Sequence, residues 1–381
     1  MISFILAAIF IIYLIFTGTL VFGFDKVEDF KLKDLKPKTK FSIIIPFRNE
    51  ANNLPQILNS ITNLNYPKDL FEVIFVDDDS KDNSVEIIKS KLDFDKLSRT
   101  KKIQFQILKN NRVSNSPKKD AISTAIKIAK HEWIVTTDAD CVLPKYWLDS
   151  FDEHIQTTDT NCVAAPVTYN GRNSFLNRFQ TLDILSLQGA TIGGFGLKLP
   201  FLCNGANFAY NKSAFIEING FEGNTNIASG DDIFLLEKFK KLDHKKVSYL
   251  KSNKAILSTK PVSSFSELIQ QRLRWASKTS HNPNWFSKAL GLIIFLGNLV
   301  CIAILPLLLF EFIKPKIVIA LLVIKFSIDF LLLFKTSRFF KQESLLFSYL
   351  GSCLMYPFFC VYIVILSLFK SYQWKGRTFK K

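Results

Sequence analysis

Residues 71–82, FEVIFVDDDSKD, run from a short apolar stretch straight into a block of acids. A six-residue run rich in Val, Ile and Phe, ending at Asp77, is the length and composition of a strand buried on both faces. Three further runs of this kind occur at Phe41–Pro46, Ile103–Leu108 and Trp133–Thr137. Helix-forming residues separate them, from Asn49 to Thr62 and from Ala121 to Lys130. Buried runs alternating with helices predict an α/β fold around a parallel sheet.

In such sheets ligands collect beyond the carboxyl ends of the strands. The first run opens into Pro46-Phe47-Arg48-Asn49-Glu50, the second into Asp77-Asp78-Asp79-Ser80-Lys81-Asp82, and the fourth into Thr137-Asp138-Ala139-Asp140. Adjacent carboxylates repel one another unless cations or hydrogen bonds compensate. Asp138 and Asp140 stand two apart, so on an extended chain they project from one side. That spacing suits one divalent cation shared with substrate phosphates, Mg2+ or Mn2+. Acidic triplets are also common in solvated turns; what distinguishes this one is its place after a buried strand.

The remainder of the chain sets the context. Of 381 residues, 48% are hydrophobic, and the apolar ones concentrate at 1–23 and 286–369 in runs long enough to cross a bilayer. We therefore expect an anchor over 1–24, a globular domain over 25–285, membrane segments over 286–369 and a basic tail over 370–381. The anchor has no basic stretch before it and no clear cleavage site, which favours retention over removal. Lys26, Lys31, Lys33, Lys36, Lys38 and Lys40 follow it and predict that the globular domain is cytoplasmic. Three apolar segments follow Trp285: 287–311, 316–334 and 344–369. Three full crossings would carry the tail outside, although Lys370, Lys375, Arg377, Lys380 and Lys381 favour the cytoplasm. One segment is then re-entrant or interfacial, either the middle one or the first. Lys325 and Asp329 lie four apart in the middle segment and are expected to pair or to face the bundle interior.

A net charge of +16 fits nucleic acid, an anionic membrane surface or a nucleotide diphosphate. With membrane segments present and no nucleic-acid motif, partners of the second and third kinds are expected, and nucleic acid is not. The six cysteines form no CxxC pair, so neither a disulfide framework nor a zinc site is predicted. No Ser-His-Asp or HExxH pattern marks a hydrolase. A small transporter relaying protons through Lys325 and Asp329 is the other class considered; the large domain with ordered acidic motifs argues against it.

Six segments in this order, IIIPFRNE (43–50), VDDDSKDNS (76–84), PKKDAI (117–122), TTDAD (136–140), SGDDIF (229–234) and QRLRW (271–275), resemble the family 2 glycosyltransferases. The resemblance spans about 230 residues and is nearest to the membrane-bound branch with ceramide glucosyltransferases and polysaccharide synthases. It implies a GT-A fold, a Rossmann-like mixed sheet, with N- and C-terminal transmembrane helices. It also implies roles: Glu50, Asp77 and Asp78 toward the nucleoside, and Lys118 toward the diphosphate. Asp138 and Asp140 would hold donor and metal, Asp140 the more directly. Asp232 would be the general base with Asp231 as helper. Gln271, Arg274 and Trp275 would serve the diphosphate and the acceptor. Helix capping is the competing account of Asp231 and Asp232, solvent exposure that of Lys118, and a membrane-surface helix with Arg272 and Arg274 facing lipid phosphates that of the QRLRW segment. Two positions depart from the family pattern: Pro117 and Asp79 replace glycines. Asp tolerates the left-handed conformation such a turn requires. Asn204 and Asn207 are read either as acceptor contacts or as a structural turn. The implied reaction is inverting transfer from a nucleotide-diphosphate sugar, UDP by default, to a lipid or lipid-linked acceptor at the inner membrane. A processive polysaccharide synthase is the alternative.

Overall fold

The computed structural model describes residues 2–96, 103–279 and 282–379. Lys380 and Lys381 of the expected basic tail, and His281, lie outside these residues. The chain forms two compact units: residues 28–170 with 202–260, and residues 1–27 with 171–201 and 261–381.

The first unit is built on a sheet. Its strands are β1 (Phe41–Phe47), β2 (Phe71–Asp77), β3 (Gln104–Lys109), β4 (Trp133–Thr136), β5 (Cys162–Ala164), β7 (Phe208–Asn211) and β8 (Val247–Tyr249), in the order β3-β2-β1-β4-β7-β5-β8. The four apolar runs read from sequence are the parallel strands β3, β2, β1 and β4. Beyond them β7 pairs antiparallel with β4 and β5, so the sheet is mixed, not wholly parallel as periodicity alone indicated. A short parallel pair, β6 (Val167–Tyr169) and β9 (Leu257–Thr259), stands beside it. Ile43, Ile45, Val73, Phe75 and Val135 are fully buried, each contributing about 1.5–3 kcal/mol of apolar transfer energy. Helices α2 (Leu54–Thr62), α3 (Ser84–Lys96), α4 (Pro117–Ile128), α5 (Trp147–Thr157), α7 (Lys212–Glu217) and α8 (Asp231–Asp243) complete the unit.

Strand order reverses between β1 and β4, since β1 is followed on one side by β2 and β3. At such a reversal the loops leaving the carboxyl ends diverge and open a crevice. Asp77 and Asp78 leave β2, and Asp138 follows β4, at that end of the sheet.

The second unit is helical. Its members are α1 (Ile2–Lys26), α6 (Phe175–Gly196), α9 (Phe265–Thr279), α10 (Trp285–Leu309), α11 (Pro315–Phe340) and α12 (Tyr349–Phe369), followed by the hairpin β10 (Tyr372–Trp374) and β11 (Arg377–Phe379). Among the described residues, four segments are long and apolar enough to cross a membrane: Ile2–Lys26, Trp285–Leu309, Pro315–Phe340 and Glu343–Phe369. The backbones of α1 and α6 meet at glycines. A Cβ on Gly193 would lie 2.3 Å from the Leu20 carbonyl oxygen, and one on Gly23 would lie 2.2 Å from that of Gly193. Small residues permit this approach in apolar surroundings. Lys325 Nζ sits 2.7 Å from Asp329 Oδ2, and the Tyr13 hydroxyl donates to Asp329 Oδ1 at 2.7 Å. The expected intrahelical pair therefore also ties α11 to α1.

Candidate active site

The site in the sheet unit begins with a turn. After β2 the backbone enters the left-handed region at Asp79 (φ 64°), where the family pattern has glycine. Asp77 Oδ1 caps that turn by accepting from the Ser80 amide at 2.9 Å. Asp78 is buried, and its Oδ1 accepts from Asn110 Nδ2 at 2.7 Å and Arg112 Nε at 2.5 Å. Arg48 Nη1 donates to the Asp78 and Asp79 carbonyls at 2.7 and 3.0 Å. Glu50 is also buried; its Oε2 accepts from Asn53 and its amide donates to Ser84 Oγ.

Asn110 joins this cluster to the next. Its Nδ2 also donates to the Pro117 carbonyl at 3.0 Å. Pro117 opens α4, where a missing N–H costs nothing and a fixed φ favours the first turn. Helix α4 thus starts four residues ahead of the expected Ala121, which draws Lys118 into its first turn. Lys118 Nζ reaches Asp138 Oδ1 at 2.7 Å and Asp231 Oδ2 at 3.1 Å. Burial opposes the charge on Lys118, but the Asp138 and Asp231 carboxylates overcome this and hold its pKa above the usual lysine range. This side chain is largely covered, 16% exposed, and its ammonium meets carboxylates.

Asp231 and Asp232 occupy the first turn of α8, whose N-cap is Gly230 (φ 88°). Neither aspartate is therefore the N-cap residue itself, although the helix N-terminus stabilises their charge. Asp232 Oδ1 accepts from the Ile233 amide at 2.8 Å, and its Oδ2 lies 3.4 Å from the Gly205 amide. A Cβ at Gly205 would stand 2.6 Å from Asp231 Oδ2 and 3.5 Å from Lys118 Nζ, so a larger residue here would push the Asp231 carboxylate aside. Asn207 is a structural residue. It is fully buried, accepts from Trp147 Nε1 at 2.8 Å and donates to the Pro166 and Ala255 carbonyls. Asn204 Oδ1 accepts from the Ala206 amide and closes the preceding turn.

Asp140 is half-buried beside Asp138; burial and then the Asp138 charge push its pKa up. Among the described residues no three His, Cys, Asp or Glu side chains gather round one point. Asp138 already faces Lys118, yet two hard carboxylates two residues apart fit Mg2+ or Mn2+, ions that take most of their remaining ligands from substrate phosphates and water.

Gln271, Arg274 and Trp275 lie on α9 in the helical unit. Arg272, between them, is buried and pairs with Asp183 of α6 at 2.7 Å. It donates to Gln271 Oε1 at 2.5 Å, and its guanidinium lies 4.0 Å from the Trp275 ring centre. Sequence reading passed over Asn110, Arg112 and Asp183, and it read Arg272 only as a membrane-surface residue beside Arg274, whereas Arg272 is buried against Asp183. Asn110 and Arg112 follow the third apolar run, so the strand-end rule applied there would have found them.

The sequence profile of glycosyl transferase family 2 matches residues 42–218, and that of glycosyl transferase family group 2 matches residues 133–374, more than half the chain. A poly-beta-1,6-N-acetyl-D-glucosamine synthase of Staphylococcus epidermidis is 28% identical over 152 residues, 39% of this chain and 33% of that protein. Glycosyltransferase AglE of Haloferax volcanii is 30% identical over 150 residues, 39% of this chain and 46% of that protein. The matches thus span less than half of either relative. Among solved structures, mannosyltransferase PcManGT from Pyrobaculum calidifontis, in complex with GDP-Man and Mn2+, aligns over 96% of this chain and 99% of its own, with a TM-score of 0.55 and 16% identity. The alignment shows a shared fold. From the profile matches, the acids at the strand ends and the mixed sheet together, the chain belongs to the family 2 glycosyltransferases, with a GT-A fold.

Proposed function

We propose that this chain is an inverting, metal-dependent glycosyltransferase that moves a sugar from a nucleotide-diphosphate donor, UDP-linked by first choice, to a lipid or lipid-linked hydroxyl at the cytoplasmic membrane face. The observation that carries it is the unbroken chain of contacts from Asp78 through Asn110 and α4 to Lys118, and from Lys118 to Asp138 and Asp231. That chain has one acid cluster at one end, a cation in the middle and a second acid cluster at the other.

In this reading Glu50, Asp77 and Asp78 hold the base and ribose. Lys118 approaches the diphosphate as a point charge. Asp138 and Asp140 would hold the divalent ion, which supplies charge neutralisation of the departing diphosphate. Asp232 takes the proton of the acceptor hydroxyl. That oxygen then bonds to the anomeric carbon from the face opposite the phosphate, and the carbon–phosphate-oxygen bond breaks. Asp231, held by Lys118, supports Asp232. Gln271, Arg274 and Trp275 serve the leaving group and the acceptor. The four apolar helices and the lysines after the first support a multi-pass placement in the inner membrane.

The test is a panel of UDP- and GDP-sugars incubated with purified protein and lipid extract, with and without manganese. Asp232→Asn is expected to lower kcat about 100- to 10,000-fold, the range of a lost general base, with nucleotide binding retained. Full activity in that variant would end the mechanism. The identity with a polysaccharide synthase favours a second reading, processive polymerisation. A long insoluble product in place of a short chloroform-soluble one would select it.

A further inference from the structure

Two lysines side by side open α4, and consecutive helical residues point about 100° apart. Lys118 faces the acids. Lys119 turns the other way and is 1% exposed. Its Nζ donates to the carbonyl oxygens of Asn224 at 2.7 Å and Ile227 at 2.9 Å, and lies 5.1 Å from the centre of the Phe234 ring. An ammonium taken from water is costly unless it finds acceptors; here the acceptors are main-chain carbonyls of the loop that leads into Asp231 and Asp232. A second contact from the same turn, Ser116 Oγ to the Ala228 carbonyl at 3.3 Å, runs to the same loop. Phe234, under the ammonium, is also the residue that crowds Gly230: a Cβ there would stand 2.6 Å from its ring. The loop between Gly220 and Gly230, with positive φ at both and at Gly223, has little regular structure of its own to fix its path.

We propose that Lys119 is a positioning residue for Asp232. It ties the loop before α8 to the helix turn that carries Lys118, so that the donor-side cation and the acceptor-side base are set by one element. The inference rests on the assignment of Asp232 as base. It deepens that reading by making the base geometry depend on a side chain that touches neither donor nor acceptor.

The experiment uses the full chain in detergent with UDP-N-acetylglucosamine, or the best donor of the panel, and manganese. Lys119→Met keeps the bulk and removes the charge. It is expected to lower kcat about 10- to 100-fold while the donor KM and the affinity for UDP stay within about twofold. Amide hydrogen exchange over residues 221–232 is expected to rise at least about tenfold, with β1 and β2 unchanged. Lys119→Gln, which can still serve one carbonyl, should fall between the two and stands in if the methionine variant does not fold. Lys127→Met, exposed on the same helix, should behave as wild type. Unchanged exchange over 221–232, wild-type kcat, or a donor KM that rises in step with the loss of kcat would each overturn the proposal. A wild type inert toward every nucleotide sugar would sink the transferase reading instead, and the exchange measurement would still decide whether Lys119 holds the loop.

Discussion

Asp78 carries two donors on one carboxylate oxygen, and neither was apparent from the acidic block that drew attention to it. Asn110 and Arg112 lie more than thirty residues downstream, brought alongside because β2 and β3 are parallel neighbours ending together at Asp77 and Lys109. Arg112→Met leaves Asp78 with Asn110 and frees it from its strongest orienting contact. A hydrogen bond to a charged group is worth about 1.5–3 kcal/mol. UDP affinity measured by calorimetry is therefore expected to drop about tenfold or more. Asp79 was legible in advance, since a turn needing positive φ accepts Asp more readily than most side chains. Lys119 was not, because nothing in a lysine's identity announces that it will be buried against carbonyls. His154 is a further case: burial pushes its pKa from 6.5 down to about 4, and its Nε2 lies 2.9 Å from Ser248 Oγ. The folded state therefore prefers the neutral ring. Its contribution is complete above pH 6.5 and is lost as pH falls from 6.5 toward about 4, by up to about 3 kcal/mol. Denaturant melts across that window should show this slope, and His154→Gln should flatten it.

The elements divide by length into those sequence could and could not reveal. Runs of five or six largely apolar residues gave β1 to β4 to within a residue or two; β1, β2 and β4 are buried almost throughout, whereas the edge strand β3 is only partly buried and was found by composition alone. Strands β5 and β7 are three and four residues long, too short for a period to show, and β7 supplies the antiparallel step that makes the sheet mixed. The start of α4 was misplaced because Pro117 reads as a breaker when it is in fact a first-turn residue. In the helical unit, α6 and α9 are joined by Asp183 and Arg272, which are 6% and 7% exposed. Removing one partner from such a pair strands the other charge. Asp183→Asn is thus expected to cost about 3–5 kcal/mol, read as a lowered melting temperature in detergent. Because Arg272 also holds Gln271 and lies on Trp275, transfer activity should fall further than the melting temperature alone explains.

At the scale of the whole molecule, part of the charge of +16 has a local source. Lys31, Lys33, Lys36, Lys38 and Lys40 are all exposed along the extended segment after α1. Changing all five to Gln leaves a net charge of +11, five fewer than +16. Surface changes of this kind usually stay within ±0.5 kcal/mol, so thermal stability should hold. Insertion should not: positive charge beside a first span sets its orientation, and labelling of a tag at the N-terminus should reveal a population of inverted molecules. Composition disclosed the charge and the apolar segments. It could not disclose how the segment between them is held, because that depends on atoms every residue has.

Glu153 accepts from the amides of Lys33 and Leu35, Asp152 from those of Lys38 and Thr39, and the Phe30 amide donates to the Lys251 carbonyl. The strap is thus buckled by its backbone and by the Phe30 ring against His154, while its five lysines stay exposed. Evolution can retune that lysine charge residue by residue without loosening the buckle. A proline at Lys33, Leu35, Lys38 or Thr39, which brings no hydrogen to offer, would undo it; Pro37 stands between those donors.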